Sequence, residues 1–171
     1  MTVQVTRKLI KEEIFDYLKK LFNKVKLRIN YLRSFDTKET YPIVSILTNP
    51  EKTSKDIFPY GTERNVLLKV LIFNKYPIND LDGWELTEDI TELIENEMAS
   101  FISPNFKIQY EGMEYDTSEK VSSSLCEIMT LNYLVTYEFH PVPWEDFEEL
   151  KLPKLEIQLN NKDKDNKNGF V

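Results

Sequence analysis

The sequence predicts an α+β fold: a mostly antiparallel sheet of about four to six strands with two helices packed on one face, plus a C-terminal arm. Two segments, one near the N-terminus and one at residues 86–101, repeat apolar residues every three or four positions. That spacing is typical of helices with one buried face. Residues 43–47, 66–73 and 125–139 are rich in β-branched and aromatic residues, which favours strands.

In the N-terminal half, the first helix is predicted from about Arg7 to Lys24. Thr6 is its predicted N-cap, because a threonine hydroxyl can accept a hydrogen bond from a free amide of the first turn. Strands are predicted around residues 27–31 and 43–47. Residues 66–73 are apolar on both faces, so this strand should be central and covered by helix on at least one side.

Residues 49–63 are predicted to form a long loop, since they contain two prolines and one glycine among mostly polar residues. Ile57, Phe58 and Tyr60 are the candidate contact residues in its middle. Two interpretations stay open: these side chains contact a partner, or they fold back onto the core. Under the first, replacing all three with serine leaves folding intact.

In the C-terminal half, a second helix is followed by further strands. The apolar face of this helix is predicted to consist of Leu86, Ile90, Leu93, Ile94, Met98 and Phe101. A half-buried strand is predicted at residues 106–110, with a turn at Glu111–Gly112 and a return strand at 113–115. The long segment 125–139 is hydrophobic mainly on one side, as expected for an antiparallel strand with a helix behind it.

Length and composition indicate one globular domain with an ordinary core: the chain has 171 residues, 41% hydrophobic and 30% charged. No run of eighteen apolar residues occurs, so no membrane span is expected, and the N-terminus lacks a signal-peptide layout. One cysteine and one histidine exclude an internal disulfide framework and a zinc site with several such ligands.

The pattern predicts three regions along the chain. Residues 1–140 form the α+β domain, and residues 141–159 form an acidic and apolar C-terminal arm. Trp144 and Phe147 are the candidate anchors of this arm, either on the same chain or on a neighbour. Residues 160–171 are predicted to be a disordered polar tail, because they contain too few apolar residues to pack.

Charge is distributed unevenly. Residues 1–33 have nine basic and three acidic side chains, a net charge of +6, whereas the rest has thirteen and twenty-six, a net charge of −13. Three interpretations stay open: a solvated basic helix face, nucleic-acid binding by that face, or a subunit with opposite poles that associates head to tail. The candidate head-to-tail contact joins Lys19, Lys20 and Lys24 to Glu88, Glu92 and Glu95.

Sequence motifs for chemistry are missing. The four glycines do not form a phosphate-binding loop. Cys126 lies in an apolar strand rather than in the electropositive, accessible surroundings that make a thiol reactive. Carboxylate pairs such as Glu12 and Glu13 lie on predicted solvated helix faces. We therefore expect no enzyme activity, no catalytic residues, no cofactor and no metal.

The order of these segments resembles the tail terminator, or tail completion, proteins of long-tailed bacteriophages. The resemblance covers residues 7–140 and not the arm beyond Pro141. It depends on the helix Leu9–Val25, the strand Tyr41–Ile46, the long polar loop, the strand Val66–Ile72, the helix Leu86–Met98 and the last strand Leu131–Phe139.

The resemblance implies a structural virion protein. Such proteins form a hexameric ring on the last ring of the tail tube, stop its polymerisation and present a surface to the head connector. DNA passes through the lumen without specific binding. The implied partners are further copies of the chain, the tail tube protein and a head completion protein, with no membrane. The implied location is the head–tail junction of the virion, after assembly in the host cytoplasm.

Three alternatives stay open. The first is a head–tail joining or stopper protein, which would act at the same junction. The second is a nucleic-acid-binding module that uses the basic N-terminal helix, whose binding should fall steeply with salt. The third is a small-molecule-binding domain or an enzyme, which would need a deep pocket with perturbed side chains.

Overall fold

A computed structural model describes residues 4–22, 25–32, 38–50, 52–57, 61–117 and 124–140, which form an α+β fold as predicted. The predicted arm (141–159) and tail (160–171) lie outside these ranges. The elements in chain order are α1 (Arg7–Lys19), β1 (Lys26–Ile29), β2 (Ile43–Thr48), β3 (Lys52–Ile57), β4 (Gly61–Pro77), α2 (Leu81–Ala99), β5 (Lys107–Thr117) and β6 (Ser124–Phe139).

The strands form one mixed sheet in the order β1-β2-β4-β6-β5, with β3 beside the N-terminal part of β4. Strands β1 and β2 are parallel, and the other described pairs are antiparallel. The β4–β6 pair extends from Thr62 opposite Phe139 to Pro77 opposite Ser124. Strand β4 is therefore central, as its apolar sequence predicts.

Both helices pack on the same face of the sheet, as predicted. Helix α1 lies against β1 and β2, whereas α2 lies against β4 and β6. They share one hydrophobic cluster with residues such as Leu68 and Leu131 of the central strands. Burial of each such side chain contributes about 1.5–3 kcal/mol, which holds the helices to the sheet. The helix residues in this cluster are Ile10, Ile14, Leu18, Ile90, Ile94 and Met98.

The opposite face of the sheet has a smaller apolar cluster. It includes Tyr31, Leu71 and Phe73. Ser45 of β2 is also buried there; its hydroxyl accepts a hydrogen bond from the Tyr31 amide at 3.0 Å and donates one to the Tyr31 carbonyl at 2.9 Å. Because both bonds are made, a polar side chain can be buried here, and it ties the segment after β1 to β2.

The prediction of a loop over the whole of residues 49–63 is wrong. Strand β3 occupies Lys52–Ile57 and pairs with the start of β4, on the same side of β4 as β2. Pro50, which has no amide hydrogen to donate, separates β2 from β3. The residues of β3 are mostly polar, and the strand is held by backbone hydrogen bonds to β4. It therefore lacks the alternating apolar residues from which a strand is predicted.

Helix α1 ends at Lys19, five residues before its predicted end. The amide of Leu21 bonds to a carbonyl three residues back at 2.9 Å, which is a tight final turn. Leu21 and Phe22 still pack against the main cluster, so the apolar stripe continues beyond the helix and overstates its length. At the other end, Thr6 Oγ1 accepts a hydrogen bond from the Leu9 amide at 3.2 Å, as the predicted N-cap.

Residues 107–117 form one strand, so the predicted turn at Glu111–Gly112 is wrong. Gly112 has a φ of 133°, a conformation that favours glycine, and the register with β6 shifts between Tyr110 and Gly112. The pair therefore forms a β-bulge. The extra residue places Met113 opposite Leu131 and on the same face of the sheet as Tyr110.

Gly83, in the first turn of α2, allows this helix to approach β4 closely. A Cβ at this position would overlap the ring of Tyr76. Alanine is the better helix former by about 1 kcal/mol, but the clash with a buried ring should exceed that gain. We expect Gly83→Ala to lower the free energy of unfolding by about 1–3 kcal/mol.

Urea denaturation followed by circular dichroism measures this change. Asp89→Ala, on the exposed side of the same helix, is the matched control and should leave the midpoint nearly unchanged. A Gly83→Ala chain as stable as the wild type would show that α2 does not pack this tightly on Tyr76.

Candidate functional site

The predicted head-to-tail contact residues lie on the outer sides of the two helices. Lys19 and Lys20 are exposed at the C-terminal end of α1. On α2, Glu88 and Glu92 are exposed and Glu95 is half-buried. Their spacing of four and three residues puts the three carboxylates on one side of the helix. The structure thus groups the three acids on one helix and two of the lysines on the other.

The other predicted contact residues are described only in part. Ile57 is the last residue of β3, and its backbone pairs with Gly61. The remaining predicted contact residues lie outside the described ranges: Lys24, Phe58, Tyr60, Trp144 and Phe147.

The two helices differ in charge as well as in position. Helix α2 has seven acidic residues and no basic one. Helix α1 ends with Lys19 and is followed by Lys20. Helix α1 lies against β1 and β2 and α2 against β4 and β6, and the two helices meet near their C-terminal ends, where the Tyr17 hydroxyl lies 3.1 Å from Glu97 Oε2.

A groove of about 340 Å³ lies between the C-terminal end of α2 and strands β5 and β6. We call it the β5 groove. Glu95 is the one charged residue of its lining, and its Oε1 accepts a hydrogen bond from the Tyr110 hydroxyl at 2.6 Å. The groove therefore combines one carboxylate with aromatic and aliphatic walls. Its lining residues are Glu95, Met98, Ala99, Phe101, Ile108, Tyr110 and Tyr133.

Tyr133, in the lining of the β5 groove, is only 3% exposed. Its hydroxyl has no hydrogen-bond partner within the described part of the chain, an arrangement that costs about 1–3 kcal/mol. Burial, the Glu95 carboxylate and Tyr110 together raise the pKa of Tyr133 above its ordinary value. The hydrogen bond to Glu95 raises the pKa of Tyr110 to about 12. Both phenols are therefore neutral at physiological pH, and each oxygen can accept a hydrogen bond.

A second groove, of about 490 Å³, lies at the N-terminal end of α1, and we call it the α1 groove. Lys8 Nζ lies 3.8 Å from Glu12 Oε1, and the Arg64 guanidinium lies 3.6 Å from the centre of the Phe139 ring. The concentration of positive charge favours an anion such as a phosphate group, which bears on the nucleic-acid alternative. The basic residues of its lining are Arg7, Lys8, Lys11 and Arg64.

Glu127 is a buried carboxylate in β6, and three hydroxyl groups donate hydrogen bonds to it. Its Oε1 accepts from Tyr76 and, at 3.1 Å, from Tyr115. Its Oε2 accepts from Thr87 at 3.3 Å. Burial raises the pKa of Tyr76 above its ordinary value. Burial is also the main reason why the pKa of Tyr115 is raised to about 12. These four residues, the Glu127 cluster, link α2 to three strands, and we interpret the cluster as structural.

Cys126 and His140 lie near opposite ends of β6, which excludes a catalytic Cys–His pair formed by these two residues within one chain. They are fourteen positions apart in the sequence, about 45 Å along an extended strand. Cys126 is fully buried, and His140 is exposed. Across the described ranges, no three His, Cys, Asp or Glu side chains lie together where a metal ion could bind. No described helix is both long and apolar enough to cross a membrane.

The sequence alone does not predict the β5 groove, the Glu127 cluster or the role of Arg64. Glu127 itself was a usable signal, because it interrupts the apolar row of β6 formed by residues such as Met129. Tyr110 and Tyr133 give a weaker signal of the β5 groove, since a tyrosine at a buried position needs a partner for its hydroxyl. No local pattern indicates Arg64, because the pairing of β4 with distant strands brings it to the α1 groove.

No protein-family model matches the chain, and no curated protein matches it with significance.

Proposed function

We propose that the protein is a structural component of a phage tail. In this proposal it forms a ring, a hexamer as in the tail terminator proteins it resembles, which caps the tail tube, stops its polymerisation and offers a surface to the head. Its partners are further copies of itself, the tail tube protein and a head completion or connector protein. It acts at the head–tail junction of the virion after assembly in the host cytoplasm, and it needs no cofactor and catalyses no reaction.

The observation that carries the proposal is the division of charge between the two helices. Lys19 and Lys20 lie at the end of the helix over β1 and β2, and the acidic helix α2 lies over β4 and β6. Two different, complementary surfaces join copies head to tail, and such contacts close into a ring when the rotation between copies allows it. Opposite charges also speed the encounter and fix its orientation.

The overall charge supports a ring that conducts DNA. The chain has a net charge of −7. Acidic groups repel the phosphates of a passing duplex, so the lumen would not retain the DNA by ionic contacts. Passage of DNA without specific binding is therefore part of the proposal.

The test measures ring formation and tail completion. Sedimentation velocity of the full chain at high concentration is expected to show one species of several copies. Electron microscopy of phage without the protein is expected to show over-long or unjoined tails. The triple variant Ile57→Ser, Phe58→Ser, Tyr60→Ser should fold but fail to complete tails, because these residues are proposed to contact the tube.

Three results would decide against parts of this proposal. A chain that stays monomeric in the presence of tail tubes, together with normal tail length in the deletion phage, would overturn the ring. A triple-serine variant that loses its thermal stability would show that Ile57, Phe58 and Tyr60 belong to the core instead. Finished tails with leaking heads in the deletion phage would favour the stopper alternative.

The α1 groove favours a second candidate function, nucleic-acid binding by the basic N-terminal helix. Four phosphate contacts predict an affinity for duplex DNA that falls about 100-fold between 50 and 200 mM salt. Fluorescence anisotropy with a labelled duplex measures this dependence. Under the ring proposal, binding should be undetectable at both salt concentrations.

A further inference from the structure

The β5 groove differs from the rest of the acidic helix surface because its residues can surround a positive charge. The Tyr110 and Tyr133 rings lie 5.5 Å apart with 56° between their planes, and Glu95 lies beside them. A cation close to the face of an aromatic ring gains about 0.5–2 kcal/mol. The groove thus has the two features that bind an ammonium group, a carboxylate and aromatic rings.

The unpartnered hydroxyl of Tyr133 favours the same kind of occupant. An ammonium group has three N–H donors, and the neutral phenol oxygen can accept one of them while Glu95 accepts another. Such a bond would remove the cost of burying the hydroxyl without a partner. An anionic occupant would instead meet the negative charge of Glu95.

We propose that the β5 groove receives a lysine side chain from the end of helix α1 of a second copy, where Lys19 and Lys20 are exposed. This inference rests on the proposed ring and identifies one of its contacts. The flexible four-carbon stem of a lysine can pack against Met98 and Ile108 while its ammonium group reaches Glu95.

The lysines and the β5 groove are two different surfaces of one subunit. Within a subunit the C-terminal ends of α1 and α2 are neighbours, since the Tyr17 hydroxyl lies 3.1 Å from Glu97 Oε2 and the Tyr17 ring lies 4.9 Å from the Phe101 ring. A contact between the lysines of one copy and the groove of another is heterologous, since each copy offers a different surface to each neighbour. An unclosed row therefore keeps one free surface at each end, where further copies can add.

The test is complementation between two charge-reversed variants of the full chain. One variant has Glu95→Lys, and the other has both Lys19→Glu and Lys20→Glu. Each alone is expected to associate at least about tenfold more weakly than the wild type, because like charges then meet at every contact. An equal mixture of the two should recover association, because every contact again joins opposite charges.

Sedimentation velocity over a range of concentrations measures this association. Asp89→Lys is the matched control, since about 120° around the helix axis separate Asp89 from Glu95. It adds the same charge to α2 away from the groove and should weaken association much less than Glu95→Lys.

Tyr133→Phe gives a second readout, which keeps the proposal testable if Glu95→Lys lowers the stability of the chain. Removing an unpartnered hydroxyl should leave the urea midpoint unchanged or raise it. Association should weaken, because the incoming ammonium group loses an acceptor.

The outcomes separate the lysine contact from the ring itself. If the wild type forms rings and completes tails while Glu95→Lys assembles normally, or while the mixture fails to recover, the lysine contact is wrong and the ring stands. If the wild type stays monomeric with tail tubes present and tail length is normal without it, the ring fails and the lysine contact fails with it.

Discussion

Raising the pH above about 10 is expected to destabilise the protein steeply, because the folded state keeps phenol protons that the unfolded chain releases. Tyrosine in an unfolded chain titrates near pH 10. Burial is the largest cause that raises the pKa of both Tyr76 and Tyr133 in the folded protein. Because the pKa is raised on folding, the contribution of each phenol to the free energy of unfolding is fully present below about pH 10. It is lost as the pH rises from there towards the pKa of the phenol in the folded protein.

Among the tyrosines whose pKa is raised to about 12 or above, Tyr76 and Tyr133 are the buried ones and should contribute most of the effect. Each phenol that keeps its proton only in the folded state lowers the free energy of unfolding by about 1.4 kcal/mol per pH unit. Tyr76 and Tyr133 together should therefore cost about 3 kcal/mol per pH unit above pH 10. Tyr110 and Tyr115 are more exposed, so solvent screening reduces their contribution. Urea denaturation at several pH values between about 8 and 11 measures this slope.

Single substitutions distinguish tyrosine titration from other effects of alkali. Tyr76→Phe and Tyr133→Phe each remove one titrating phenol, so each should reduce the slope by about 1.4 kcal/mol per pH unit. Ile94→Val is the control: it removes one buried methyl group and should lower the stability by about 0.5–1.5 kcal/mol equally at every pH. A stability that does not change up to pH 11, or the same slope in all four proteins, would contradict the expectation.

The parts of the fold that could be predicted from the sequence are those that bury a regular apolar row. The buried faces of α1 and β6 have the periodicity of a helix and of a strand, and both elements lie in the segments that the sequence predicts, although α1 ends five residues earlier. Strand β3 has no such row, because backbone bonds to β4 hold it. The residues Glu111–Gly112 suit a turn and a bulge equally well. The pairing of β5 with β6, which lies further along the sequence, decides for the bulge.

The candidate site could be predicted only in part for the same reason. The lysines at the end of α1 and the acids of α2 follow from charge and spacing alone. Which acid lies beside a groove depends on the alignment of β5 with β6, which sets Tyr110 opposite Tyr133. That alignment connects residues far apart in the sequence, so no local pattern distinguishes Glu95 from Glu88 or Glu92.

Alanine substitutions at two neighbouring residues of α2 are expected to differ strongly in effect. Helical periodicity predicts Leu93 and Ile94 on one apolar face, but Ile94 is 0% exposed and Leu93 is 38% exposed. Ile94→Ala removes buried atoms and leaves a cavity between α2 and the sheet, which should lower the free energy of unfolding by about 2–5 kcal/mol. Leu93→Ala removes atoms that are already partly in water and should cost less than about 1 kcal/mol.

Urea denaturation of both variants at one low protein concentration measures the difference, because association between copies would otherwise add to the apparent stability. About 100° around the helix axis separate the two residues. Equal losses at a dilution where the chain is monomeric would therefore mean that α2 presents a different side to the sheet. In that case Glu95 would also turn away from Tyr110, so the same pair of variants tests the orientation of the helix that the β5 groove requires.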